Sequence, residues 1–190
     1  MLKISKTLVL ILAAGSTTAF AADGTITING KVLDSTCALT PDGGPAQGNK
    51  NNITVTLPTV KAGDFSAVGD VEGKTDFQLK ITNGADGQAC GSLSGIQGVL
   101  ISAANGKYLA SNSTALINQK AFDEGSAGQT PIHVQILSGA NNDPIKFDSS
   151  VAVPHKDGVI KLASQYLQAV DGPIAAQNVT AVVDYTLVYN

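Results

Sequence analysis

Residues 24–37 read GTITINGKVLDSTC, and from Gly24 to Val32 the stretch alternates strictly. Ile26, Ile28, Gly30 and Val32 fall on one side, and Thr25, Thr27, Asn29 and Lys31 on the other. Period-two alternation with β-branched residues is the pattern of a strand with one buried face. Such a strand must bury that face in its own sheet or in another molecule's, because an open edge also leaves a row of backbone N–H and C=O groups unpaired.

What precedes this strand gives it a setting. Lys3 and Lys6 form a positive region, and residues 7–14, TLVLILAA, form an apolar run too short to span a bilayer. Ala19-Phe20-Ala21 supplies a small-x-small cleavage pattern, so residues 1–21 are expected to be a secretory signal and the mature chain to begin at Ala22. An uncleaved anchor is the competing reading. Cys37 and Cys90 are the two cysteines, and in an exported protein an even pair points to one disulfide. It would close a loop of about 54 residues and stabilise by roughly 4 kcal/mol on the chain-entropy argument. Two free thiols or a redox pair is the alternative, but the spacing is not C-x-x-C and no histidine lies near either cysteine.

Charge narrows the function classes. The chain has 12 Lys+Arg and 15 Asp+Glu; without the two leader lysines, ten stand against fifteen. None of the basic residues is arginine, and the lysines are scattered. Nucleic-acid binding calls for clustered basic residues with aromatic platforms, so it is excluded as an expectation. The absence of tryptophan and the 5% aromatic content also weaken a sugar-binding reading.

Alternation recurs along the chain. Ile53, Val55 and Leu57 alternate up to Pro58, and Phe77, Leu79 and Ile81 alternate up to the turn signals Asn83-Gly84 and Asp86-Gly87. Residues 99–103, 132–137 and 159–166 are further candidate strands, and residues 179–189 are expected to form the last and longest. In that last run Ala181, Val183, Tyr185, Leu187 and Tyr189 share a face. Residues 42–52 read as a surface loop, and a single turn near residues 63–68 is the nearest thing to a helix. Many short strands separated by Gly, Asn, Asp and Ser predict one all-β sandwich domain.

At this point the sequence resembles the pilin subunits of bacterial chaperone–usher fimbriae, of type 1 kind. The resemblance is carried by GTITINGKV before Cys37, ITVTLPTV at 53–60, DFQLKI at 76–81 ahead of Cys90, HVQIL at 133–137, QYLQAV at 165–170 and the penultimate Tyr189. It covers the whole mature chain. There are departures: the family often has a glycine fourteenth from the C-terminus, where this chain has Gln177, and the N-terminal extension is short.

The resemblance implies an immunoglobulin-like sandwich that lacks its final strand and is completed by a donated one. It implies three regions: a signal over 1–21, a donor-strand extension over 22–33 and a pilin domain over 34–190. Ile26, Ile28, Gly30 and Val32 would be the donated residues. Val183, Tyr185, Leu187 and Tyr189 would line the groove or face a chaperone, and the Asn190 carboxylate would meet a basic chaperone pair. The implied partners are a periplasmic chaperone, an outer-membrane usher and other pilin subunits, with no cofactor, metal or nucleic acid. The implied location is an extracellular fimbrium, reached through the periplasm and supporting cell adhesion. A major shaft subunit is favoured over a minor adaptor; a self-contained secreted carbohydrate-binding sandwich is the remaining alternative.

Enzymatic chemistry finds no foothold in the sequence. His133 lies in an alternating strand and His155 follows Pro154, neither with a metal or triad partner at useful spacing. No G-x-S-x-G, H-E-x-x-H or phosphate-binding loop occurs. Gly91, Gly95 and Gly98 read as a turn-rich segment, and Asp123-Glu124 as a solvated pair. An adhesin's extra N-terminal lectin domain is not expected in a chain of 190 residues.

Overall fold

The computed structural model describes residues 36–120 and 130–190, all within the second of the two units into which the chain divides, Leu33–Asn190. The alternating stretch with Ile26, Ile28, Gly30 and Val32 lies outside these residues, as do the signal-like segment and Asp123-Glu124.

The described chain is all β apart from a helical start at Gln119 and Lys120. Its strands are β1 (Cys37–Pro41), β2 (Ala46–Asn49), β3 (Asn52–Val55), β4 (Val71–Asn83), β5 (Ile96–Ser102), β6 (Tyr108–Leu109), β7 (Asn112–Leu116), β8 (Ile132–Ser138), β9 (Asp143–Pro144), β10 (Val153–Pro154), β11 (Val159–Gln168) and β12 (Asp184–Tyr189). Single 3-10 turns at Ala62–Asp64 and Leu93–Gly95 interrupt them. One sheet runs β1-β4-β11-β8-β7-β6, with β9 paired to β8; a second runs β10-β5-β12; β2 and β3 form a separate hairpin. All pairings are antiparallel.

The core lies between the two larger sheets. Leu39, Phe77, Leu79, Ile81, Ile160 and Leu162 enter it from the first, and Val99, Ile101 and Val153 from the second. The alternating faces predicted from Phe77, Leu79 and Ile81 are those the sheet buries. On the opposite face of the first sheet Lys74, Asp76, Gln78 and Lys80 of β4 stay exposed, while the amides of Gln135 and Gln165 are buried and paired. Gln165 Nε2 donates to Gln135 Oε1 at 2.9 Å, and Gln135 Nε2 donates to Thr114 Oγ1 at 2.8 Å. Pairing of this kind is what buried amides require.

Two glycines set the register. Ser164 pairs with Thr75 but Tyr166 pairs with Glu72, so β4 carries an extra residue around Gly73. Gly73 has φ +66, and a Cβ there would sit 3.0 Å from the Tyr166 ring. In the second sheet Val188 pairs with Gly98 and Tyr189 with Ile96, which leaves Gln97 as the extra residue of β5. The bulge is on β5, so β12 keeps its alternation through Tyr189. At Gly98 a Cβ would lie 2.1 Å from the Val153 carbonyl oxygen, so β10 docks only on a glycine.

Two expectations need correction. Residues 42–52 are not a loop: β2 pairs with β3 from Ala46–Val55 to Asn49–Asn52. Only Ala46 of β2 is buried, so no hydrophobic alternation marked the strand. The C-terminal strand is not the longest. β12 has 6 residues and β4 has 13. Val179, Ala181 and Val183 do pack against the core, but they precede the ladder, and the run is held at Thr180, whose N–H donates to Asn118 Oδ1 and whose carbonyl accepts from the Gln119 N–H.

Candidate functional site: the gap between two sheet edges

Two strands end their sheets on the same side of the sandwich. β1 closes the order of the first sheet and β12 that of the second, and among the described residues no strand pairs with the outer edge of either. Between them opens a cavity of about 430 Å³, lined among others by Cys37, Ala38, Lys50, Tyr185, Leu187 and Tyr189.

Each wall has a local cause. β1 is fixed against β4 in the register Leu39–Ile81, and the Cys37–Cys90 disulfide ties its start to the turn after β4, with Cα atoms 5.7 Å apart. The two sequence-predicted cysteines are thus bridged, and Cys37 borders the cavity. β12 is fixed against β5 in the register Leu187–Val99. Tyr185 and Leu187 turn inward, half-buried against the core, while Asp184 and Thr186 are exposed.

The residues expected to line a groove or face a chaperone are distributed as follows. Tyr185, Leu187 and Tyr189 reach the same cavity. Val183 packs against the core just before β12 begins. Tyr189 is 39% exposed and stands at the rim. Asn190 is tied down: its N–H donates to the Gly95 carbonyl at 3.0 Å and its Nδ2 to the Ser94 carbonyl at 3.3 Å.

Two features of the site have no signal in the sequence. The Tyr185 hydroxyl donates to the Leu39 carbonyl of β1 at 3.4 Å and to the Lys50 carbonyl in the β2–β3 turn. Burial pushes the phenol above its usual pKa. The second feature is Asn118, which is fully buried. Its Nδ2 donates to the Asn178 carbonyl at 2.9 Å and to Gln177 Oε1 at 3.3 Å, and its Oδ1 accepts from the Lys120 and Thr180 N–H groups at 3.1 Å each. It clamps the irregular run that leads into β12. An asparagine between polar neighbours reads as loop in a sequence, which is why pattern reasoning passes it over.

The histidines do not approach the gap. His155 is a turn residue: its Nδ1 accepts from the Gly158 N–H at 3.2 Å and its Nε2 lies 3.0 Å from the Ile96 carbonyl oxygen. His133 is fully buried on β8, and neither ring nitrogen has a hydrogen-bond partner among the described residues. Among the described residues no cluster of three or more His, Cys, Asp or Glu could hold a metal.

Comparison with known proteins gives this geometry a context. No protein-family model matches the chain. The F17 fimbrial protein of Escherichia coli is 30% identical over 197 residues, spanning 100% of this chain and 99% of its own. The major fimbrial subunit SMF-1 of Stenotrophomonas maltophilia is 32% identical over 193 residues, spanning 95% and 100%. Among solved structures, the P pilus rod subunit PapA superposes with a TM-score of 0.57 at 18% identity, over 87% of this chain and 100% of that one. A chaperone–usher pilus structure superposes with a TM-score of 0.52 at 18% identity, over 89% and 96%. The structural likenesses speak for a shared immunoglobulin-like pilin fold, and the sequence identities run end to end: the chain belongs to the family of bacterial fimbrial subunits.

Proposed function

We propose that the chain is a structural, non-enzymatic subunit of a bacterial chaperone–usher fimbria that accepts a strand from a partner between β1 and β12. In the periplasm a chaperone supplies that strand; in the extracellular fibre residues 24–32 of the neighbouring subunit replace it. The observation that carries this reading is the pair of sheet edges, unpaired among the described residues, that face one gap lined by Cys37, Ala38, Tyr185 and Leu187. Strand addition satisfies the backbone groups of an open edge and covers apolar surface worth about 25 cal/mol per Å² in the same step. The length fits: β12, with 6 residues, runs about 20 Å at the rise of an extended chain, and residues 26–32 would run about 23 Å if extended. Ile26, Ile28 and Val32 would fill the gap and Gly30 would lie where its floor rises.

The name of SMF-1, a major fimbrial subunit, supports a shaft position for this chain. Export through the periplasm follows from the signal-like leader, and an usher and a chaperone are the partners this route requires. The test is truncation. Deleting Leu187 to Asn190 removes half of the β12 edge and the ties of Asn190 to Ser94 and Gly95. No soluble chaperone complex should then be recovered from periplasmic extracts. Normal co-purification of the truncated chain would count against the assignment.

A further inference from the structure

The two edges that frame the gap are bridged by one side chain. Tyr185 leaves β12, and its hydroxyl reaches the carbonyl of Leu39 on β1 and the carbonyl of Lys50. A phenol has one proton to donate, so the two carbonyls share it. The Lys50 turn is pinned at its other end too, since the Lys50 ammonium donates to the Gly84 carbonyl and the Gly84 N–H donates to the Thr36 carbonyl at 2.7 Å. Thr36, Lys50, Gly84 and Tyr185 all line the cavity. The tether therefore crosses the opening that an added strand has to enter, and it holds carbonyl groups of the opposing wall.

We propose that Tyr185 sets the rate at which this subunit takes up a strand: its hydroxyl latches β12 to the β1 edge and the Lys50 turn, and an incoming strand must break that latch before it can seat. This rests on the strand-accepting reading above. The ring belongs to the wall and packs on the core, so it is needed with or without an added strand; the hydroxyl tether is the part that a seated strand would displace. A phenol is protonated, and therefore a donor, throughout the neutral range, and burial pushes the pKa of this one further up. Tyr185→Phe keeps the ring and deletes only the tether. A merely structural tyrosine would, on losing its hydrogen bond, leave a looser groove that binds more weakly. A latch would give the opposite kinetic sign.

The experiment uses the exported chain, residues 22–190, and a fluorescent synthetic peptide of residues 22–34 as the donor probe, followed by anisotropy. Association with Tyr185→Phe should be roughly two- to tenfold faster than with the wild type, the range one neutral hydrogen bond covers, with the dissociation rate unchanged. An association rate equal to or slower than wild type overturns the latch. If the wild type takes up no peptide, the strand-accepting reading falls and the latch with it; uptake without acceleration sinks the latch alone. Should Tyr185→Phe fail to fold, ring-labelled tyrosine in the wild-type chain gives a second readout. The Tyr185 resonance should move to a new position when peptide binds, and a resonance unmoved at saturation overturns the proposal.

Discussion

Asn118 spends all of its hydrogen-bonding capacity inside the protein, at no solvent exposure, on residues 59 to 62 positions away along the chain as well as on its own neighbour Lys120. Replacing it by alanine would delete four hydrogen bonds made by a fully buried side chain, and each is worth roughly 0.5–1.5 kcal/mol net. Asn118→Ala should therefore lower unfolding free energy by about 2–4 kcal/mol and speed hydrogen exchange at the Thr180 amide; wild-type exchange there would remove the clamp from the account. His133 makes a different residue-scale prediction. Burial lowers its pKa from 6.5, and the nearby Leu116 and Thr130 backbone opposes that shift more weakly. The unfolded chain then binds the proton more readily than the folded one. Stability should be full above about pH 6.5 and fall as pH drops from there toward the lowered folded-state value. Urea midpoints measured across that window should lose this slope in His133→Leu; an unchanged slope would assign it to another group. Neither residue was legible in this role. A buried polar side chain has the same letter as an exposed one, and only the long-range partners distinguish them.

At the scale of elements, the hydrophobic alternation of β4, β8 and β11 could be read directly, because one face of each meets the core and β-branched or aliphatic residues mark it. The bulges could not. Gly73 and Gly98 look like ordinary strand glycines until the partner strand shows which one needs a positive φ and which one a bare Cα. β2 was invisible because three of its four residues are exposed. Val179, Ala181 and Val183 keep the spacing of a strand and pack like one, yet the ladder begins at Asp184 because Asn118 and the Gln119 N–H take the Thr180 backbone groups. The prediction at this scale concerns Gly98. Gly98→Val would drive a side chain into the Val153 carbonyl and push β10 off the sheet. We expect a loss of about 2–4 kcal/mol in stability, since overpacking and a broken β10–β5 pairing add. A variant as stable as wild type in urea would mean that β10 relaxes freely and that the close approach is not a constraint.

At the scale of the molecule, the edges β1 and β12 come to the same side of the sandwich and, among the described residues, do not pair. That side is bordered by the single disulfide, bridged by Tyr185 and entered from β12, whose alternation the sequence displays through Tyr185, Leu187 and Tyr189. The sequence also displays strand-like alternation over residues 24–32, but pattern alone does not say into which molecule it folds. The direct measurement is deletion of residues 22–32, with fibres imaged from cells that carry the deleted chain as their only copy and with chaperone co-purification run in parallel. The account predicts a subunit that still folds with its chaperone and accepts a neighbour's strand but donates none, so that long fibres disappear. Fibres of normal length, or a chain that fails to fold even with chaperone present, would contradict it and return the strand to its own domain.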